Sequence, residues 1–257
     1  MVTAVQPASP PPYVFVPRTA RPQLLFVLLH GESAQPDQLF ALSDAIKQAF
    51  PSAVVVIPYA FESAERAGMS GYFWIDPLTS GQMRTAAQEA EHRARRMNQA
   101  VSRLAAMVRR LQQQYGITGQ QTALAGFSQG ASMALEAAHA EPDLAGRILA
   151  FSGLYARRPA AVPPATVLHF FHGANDQQVS VDEVESTLAR LGELQADATL
   201  DVASGIGHEL HDALIRQAIV RLQTCVPLRS WEEALSALES DLRNEAQSRN
   251  GTNHQLH

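Results

Sequence analysis

The chain has one cysteine, Cys225, in 257 residues. A lone cysteine excludes an internal disulfide and suits a reducing compartment, so a cytoplasmic location is expected. Long apolar runs are missing too. The longest, Leu24–Leu29, is far short of the roughly 20 residues that a bilayer span needs, so no integral membrane association is expected. There is no basic excess: 20 Lys and Arg stand against 25 Asp and Glu, for a net charge of −5. That balance gives no footing for nucleic acid or an anionic membrane surface. Residues Met1–Pro12 have neither a basic start nor an apolar stretch, so they read as a flexible Pro-rich lead rather than a secretory signal. What remains is a chain 46% apolar and 18% charged, the composition of a globular protein. Its length suits one α/β domain with a sizeable core.

Short apolar runs alternate with helical patterns along most of the chain. Tyr13–Val16 reads as an edge strand, and Gln23–Leu29 and Ala53–Ile57 as strands buried on both faces. Between the last two, Leu39, Leu42, Ile46 and Phe50 recur at helical spacing over Asp37–Phe50. Tyr59–Gly81 is a long aromatic loop, of a length often tied to function. A helix is predicted over Met83–Tyr115, with a stripe of Met97, Val101, Leu104, Val108, Leu111 and Tyr115, capped by Gly116. Further strands are predicted at Thr122–Ala125, Arg147–Phe151, Thr166–Phe171 and Ala198–Val202. Helices are predicted at 131–138, 181–194, 210–222 and 231–243. The alternation implies a mostly parallel central sheet of about seven strands with helices on both faces. The domain reading is 13–225 for this unit, 226–246 for a helical extension and 247–257 for a disordered tail.

The chemistry centres on Gly126-Phe127-Ser128-Gln129-Gly130, set between a strand and a helix. In that context G-x-S-x-G is a sharp turn that lifts a serine hydroxyl above the sheet edge, next to a helix N-terminus. A serine needs a base, and the base needs an orienting carboxylate. Asp176 and His208 follow in the order Ser, Asp, His, each just past a predicted strand. Ser128 as a mere helix cap would leave the flanking glycines unexplained. Asp176 read as a turn residue is the bland alternative. Asp182 is the second-choice carboxylate and His211 the second-choice base. His92, His139, His169 and His172 read as structural or surface groups, with no zinc spacing among them. The oxyanion of an acyl-transfer intermediate would be met by the backbone N–H of Gln129 and of Glu32, which follows His30-Gly31. His30 shapes that loop without moving protons. The cluster Arg93-Ala94-Arg95-Arg96, beside Glu89 and Glu91, reads as a solvated helix face. Cys225 reads as a small buried side chain.

Taken together, Leu28-Leu29-His30-Gly31, Trp74-Ile75-Asp76, Gly126-Phe127-Ser128-Gln129-Gly130, His172-Gly173-Ala174-Asn175-Asp176 and Gly207-His208-Glu209-Leu210 resemble the phospholipase/carboxylesterase family of α/β-hydrolases, which includes the acyl-protein thioesterases. The resemblance spans about Gln23 to Leu222. It implies the α/β-hydrolase fold and the triad Ser128, Asp176 and His208, without metal or organic cofactor. It also implies an acyl pocket walled by the Trp74 loop, with Phe73 and Phe127 alongside. The expected substrate is a small acyl ester or thioester; a homodimer is left open. One departure stands out. The family continues His-Gly with an apolar residue and a glycine, whereas here Glu32, Ser33 and Ala34 follow. A carboxylate turned inward at Glu32 would oppose the oxyanion and leave a non-catalytic binding protein as the rival reading.

Overall fold

The computed structural model describes residues 10–18, 21–63, 70–75 and 85–224. The expected helical extension, the tail, Cys225 and most of the lead lie outside the described residues. By its internal contacts the chain divides into residues 1–221 and 222–257.

Among the described residues nine strands are found: β1 Tyr13–Phe15, β2 Leu24–Leu29, β3 Ala53–Ile57, β4 Glu62–Ser63, β5 Tyr72–Phe73, β6 Thr122–Phe127, β7 Arg147–Phe151, β8 Val167–Gly173 and β9 Ala198–Ala203. Five helices accompany them: α1 Phe40–Ala49, α2 Ala86–Tyr115, α3 Gln129–Ala140, α4 Val181–Glu193 and α5 Asp212–Thr224. Seven strands form one sheet in the order β1-β3-β2-β6-β7-β8-β9. Every pairing in it is parallel except the edge pair β1–β3. The short strands β4 and β5 form a separate antiparallel pair inside the aromatic loop.

The two faces follow from strand alternation. Leu25, Val27, Leu29, Leu124, Ile148, Leu168 and Phe170 join one core cluster with side chains of α2, α3 and α4. Leu28, Leu149, Phe151 and Phe171 are buried outside that cluster, as are Leu42 and Ile46 of α1 and Leu214 and Ala218 of α5. Helices therefore cover both faces. Within α2 the expected stripe is in place: Val101, Leu104 and Val108 are buried, and Met97, Leu111 and Tyr115 pack against them. The helix ends at Gly116, whose φ of 65° is left-handed and costs glycine little.

The stretch Asp37–Phe50 is not helical throughout. Pro36–Leu39 is a 3-10 turn, and the α-helix begins only at Phe40. Proline at its start sets φ but donates no N–H, which suits a short turn before a helix.

From β2 the chain goes to β3 on one side; from β6 it goes to β7 on the other. The carboxyl ends of β2 and β6 are thus the topological switch point, where open parallel sheets leave a crevice. The loops that begin there carry His30-Gly31-Glu32 and Ser128.

Candidate active site

Ser128 sits between β6 and α3 with φ 53° and ψ −117°, a conformation that non-glycine residues avoid. The fold over-determines it. The Ser128 N–H donates to the Phe151 carbonyl at 2.9 Å. A Cβ on Gly126 would come within 2.2 Å of the Gly130 backbone, and one on Gly130 within 2.1 Å of the Leu29 carbonyl oxygen. Only glycine allows β6, α3 and β2 to approach so closely, which is the physical content of the G-x-S-x-G spacing.

Asp176 and His208 come from the loops after β8 and β9. Backbone bonds lace these loops together: Ala174 N–H to the Ala203 carbonyl at 2.9 Å, and Asn175 N–H to the Ile206 carbonyl at 2.8 Å. The Asp176 side chain is fully buried, and its two oxygens divide their work. Oδ1 accepts the N–H groups of Gln178 at 2.8 Å and Val179 at 3.0 Å. Oδ2 accepts from His208 Nδ1 at 2.8 Å. Burial alone would push this carboxyl up; the Val179 and Gln178 N–H groups and His208 outweigh it and hold the carboxyl below the usual aspartate value. With Nδ1 donating, His208 Nε2 accepts the Ser128 hydroxyl at 3.0 Å. The Phe127 ring lies 5.0 Å from the His208 ring.

His172, read from the sequence as structural, lies near the same carboxylate oxygen as His208. Its Nε2 donates to the Val179 carbonyl at 2.8 Å and lies 3.4 Å from Asp176 Oδ2. It therefore ties down the turn that holds Asp176. Neither second choice joins the chain: Asp182 lies in the first turn of α4, and His211 Nδ1 accepts the Ala213 N–H at the start of α5.

The opposite wall is built by side chains gripping backbone. Gln129 is the first residue of α3, so its N–H has no acceptor within the helix. The Gly31 N–H is taken by Gln38 Oε1 at 2.8 Å, which leaves Glu32 as the next donor along that loop. His30 is fully buried, and burial lowers its pKa despite opposing contributions from Gly31 and Asp37. Its Nε2 accepts the Ala60 N–H at 3.1 Å, so the proton is on Nδ1 and goes to the Gly31 carbonyl at 2.8 Å. A neutral histidine locked this way shapes the loop, as expected.

The Gln129 side chain is a clamp that sequence reasoning missed. Its Oε1 accepts the N–H groups of Trp74 at 2.8 Å and Ile75 at 3.3 Å. Its Nε2 donates to the Ile75 carbonyl at 3.0 Å and to Glu32 Oε2 at 3.4 Å. The exposed Glu32 side chain thus turns to the amide of Gln129. Partial desolvation pushes its carboxyl up. Trp74 and Phe73 are each 1% exposed and Phe127 is 5% exposed. The Trp74 indole N–H donates to the His30 carbonyl at 2.8 Å, and the ring meets Phe61 edge-on. These aromatics form the packed backing of the site; Ile75 is the residue of that loop that faces the neighbouring cleft. Among the described residues no cluster of three or more His, Cys, Asp or Glu could hold a metal ion. Nor is any helix there long and apolar enough to cross a membrane.

A parallel sheet with helices on both faces and a hydrogen-bonded Ser-His-Asp chain at its switch point defines an α/β-hydrolase. A model of the phospholipase/carboxylesterase family matches residues 12–226, and the chain belongs to that family of carboxylic ester hydrolases. It is 30% identical over 214 residues to the esterase YpfH of Escherichia coli (strain K12), a match covering 83% of this chain and 88% of that one. The crystal structure of esterase PE8 is also 30% identical, with a TM-score of 0.72, covering 84% of this chain and 99% of its own. The Bacillus cereus carboxylesterase structure shares the fold at 17% identity, with a TM-score of 0.65 and coverage of 81% and 91%.

Proposed function

We propose that Ser128, His208 and Asp176 hydrolyse carboxylic esters, thioesters included, through an acyl-enzyme. The Ser128 Oγ attacks the acyl carbon while His208 Nε2 takes its proton. The intermediate's oxyanion is met by the N–H groups of Gln129 and Glu32, at the positive end of α3. On collapse the bond to the leaving oxygen or sulfur breaks, and His208 passes its proton to that atom. Water then attacks the acyl-Ser128 carbonyl with His208 again as base; the bond to Ser128 Oγ breaks, His208 returns the proton to Oγ, and the acid leaves. Asp176 keeps the His208 proton on Nδ1 and stabilises the imidazolium while it lasts. No cofactor enters the scheme.

The observation that carries this reading is the unbroken chain from Asp176 Oδ2 to His208 at 2.8 Å and from His208 to Ser128 Oγ at 3.0 Å. Those distances are within proton-sharing reach without substrate present. A fluorophosphonate should label Ser128 and nothing else. A panel of p-nitrophenyl esters of rising acyl length, run beside a thioester and a lysophospholipid, then ranks the leaving groups. A protein that ignored the probe and every activated acyl compound would end the proposal.

A further inference from the structure

Beside the Ser128 corner, a cleft of about 740 Å³ runs along the outer face of α3. Gln129, Ser132, Glu136 and His139 of α3 line it, at the spacing of three and four that makes one helical stripe. The facing walls are α2 from Ala90 to Asn98 and the loop Tyr155–Ala160 after β7. One end opens at Glu32 and Gln129, the two residues assigned to the oxyanion. Farther along α3 the Ala156 N–H donates to Glu136 Oε1 at 2.8 Å, and the lining continues to His139. Glu136 lies seven residues along α3 from Gln129, about 10 Å at the helical rise.

The charge on these walls runs against that of the chain. The whole protein carries −5, yet the cleft is lined by Arg93, Arg96, Arg157 and Arg158 against Glu32 and Glu136. Both carboxylates already accept hydrogen bonds, Glu32 from Gln129 and Glu136 from Ala156. The sequence reading of Arg93–Arg96 as a solvated face holds for Arg95, which pairs with Glu91 at 3.1 Å. Arg93 is exposed as well, and Arg96 half-buried; both also line the cleft, because 3.6 residues per turn brings positions three apart onto one side. Ile75, Met97 and Pro159 give the walls apolar surface, which strengthens charge interactions by excluding water. The Tyr155 hydroxyl is buried, with no hydrogen-bond partner among the described residues. Arginines lining one cleft from two chain segments are suited to planar oxyanions.

We propose that this cleft binds the remote anionic end, carboxylate or phosphate, of an ester whose acyl carbon reaches Ser128. The substrate class is then an ester that carries a negative charge remote from the scissile bond. The proposal rests on Ser128 being the nucleophile.

The test compares p-nitrophenyl monoesters of dicarboxylic acids of rising length with their methyl-capped neutral counterparts, after subtraction of spontaneous hydrolysis. A second arm replaces the terminal carboxylate by a phosphate monoester. The ratio of kcat/KM, anionic over neutral, should peak at the longer spacers at about tenfold, the sum of modest contributions from several exposed cations. It should fall towards one in Arg157→Gln/Arg158→Gln, through KM, while the neutral ester is turned over as before. It should also shrink as salt is raised, because the screening length shortens. The better arm identifies the anion. Equal or better turnover of neutral esters at every spacer and with both anions would overturn the proposal. So would a preference that survives both that double substitution and Arg93→Gln/Arg96→Gln. Failure of the underlying reading looks different: neutral esters would be untouched and Ser128 unlabelled, and both proposals would go.

Discussion

The two walls of the Ser128 corner are held by different means. On the Asp176–His208 wall, backbone does the holding: a strained turn at Ser128, two N–H groups on Asp176 Oδ1, and paired loops after β8 and β9. On the Glu32–Trp74 wall, side chains grip backbone: Gln38 on Gly31, His30 on Ala60, Gln129 on Trp74 and Ile75. The first arrangement fixes the three groups of the proposed triad through the backbone, so replacing any one of them is expected to be costly. The second holds the Glu32 loop and the Trp74–Ile75 segment, and it can be retuned one side chain at a time. The difference predicts an all-or-none response on one wall and a graded response on the other.

The largest effects belong to the backbone-held wall. Ser128→Ala should lower kcat about 10⁴-fold or more, and Asp176→Asn, which frees the His208 tautomer, about as much. Combining them should cost little beyond the worse of the two, because the groups act as a unit. Steady-state kinetics on a p-nitrophenyl ester would check this. Full additivity would break the comparison at its strongest point.

Acid should act on the fold apart from the chemistry. His169 is fully buried on β8 with Nδ1 against Thr199 Oγ1 at 2.8 Å and Nε2 without a partner among the described residues. Burial first, then Arg147 and Arg221, push its pKa down from 6.5 to about 4, with Asp201 opposing. Between those values the unfolded chain binds a proton that the native one refuses. Stability therefore falls as pH drops from about 6.5 to about 4, by up to roughly 3 kcal/mol from this residue. His30, also held neutral by burial, adds to the same slope. Urea unfolding followed from pH 7 to 4.5 should show the decline, and His169→Leu should flatten it. An unchanged slope in that variant would remove His169 from the account.

These predictions also mark how far the sequence could be read. Ser128, Asp176 and His208 were legible because each lies just beyond a strand, two of them beside glycines, and backbone-held chemistry leaves such local marks. The parallel sheet was legible from apolar runs with no alternation. The β4–β5 pair was not, since two-residue strands carry no period. Side-chain clamps were hidden as well. Nothing in a glutamine announces that its amide will pair with Trp74, 55 positions away. The same holds for His172, whose bond to the Val179 carbonyl is a fact of the loop's path. The arginine-lined cleft needs α2 and the loop after β7 side by side, which only the packing provides.

On the clamped wall, Gln129→Ala should remove four hydrogen bonds from the Trp74–Ile75 segment and Glu32 while leaving the Gln129 N–H in place. The expected loss in kcat/KM is about 10- to 100-fold, from a misplaced substrate surface rather than a missing reactive group. Gln129→Glu keeps an acceptor for the Trp74 and Ile75 N–H groups but loses the donor and meets Glu32, so it should fall between wild type and alanine. Unchanged fluorophosphonate labelling in both variants would assign the loss to substrate placement. Labelling that collapses with kcat/KM would make Gln129 part of the reactive machinery and erase the contrast between the walls.

The smallest effect is expected at Glu32. A carboxylate facing the oxyanion in a dry site would oppose charge development by several kcal/mol, and its removal would raise turnover by orders of magnitude. Here the side chain is exposed and turned to Gln129 Nε2 at 3.4 Å, a long and weak contact. Water screens it, and in the proposed reaction its backbone N–H is the part that meets the oxyanion. Glu32→Gln should therefore change kcat by less than about threefold on a neutral ester, the scale of an exposed charge interaction. It should favour an anionic ester somewhat more, because one of the two carboxylates in the arginine cleft is gone. Neutral-ester turnover that jumped a hundredfold would mean that Glu32 swings inward when substrate binds. The clamp would then restrain an inhibitory charge as well as place the Trp74 loop.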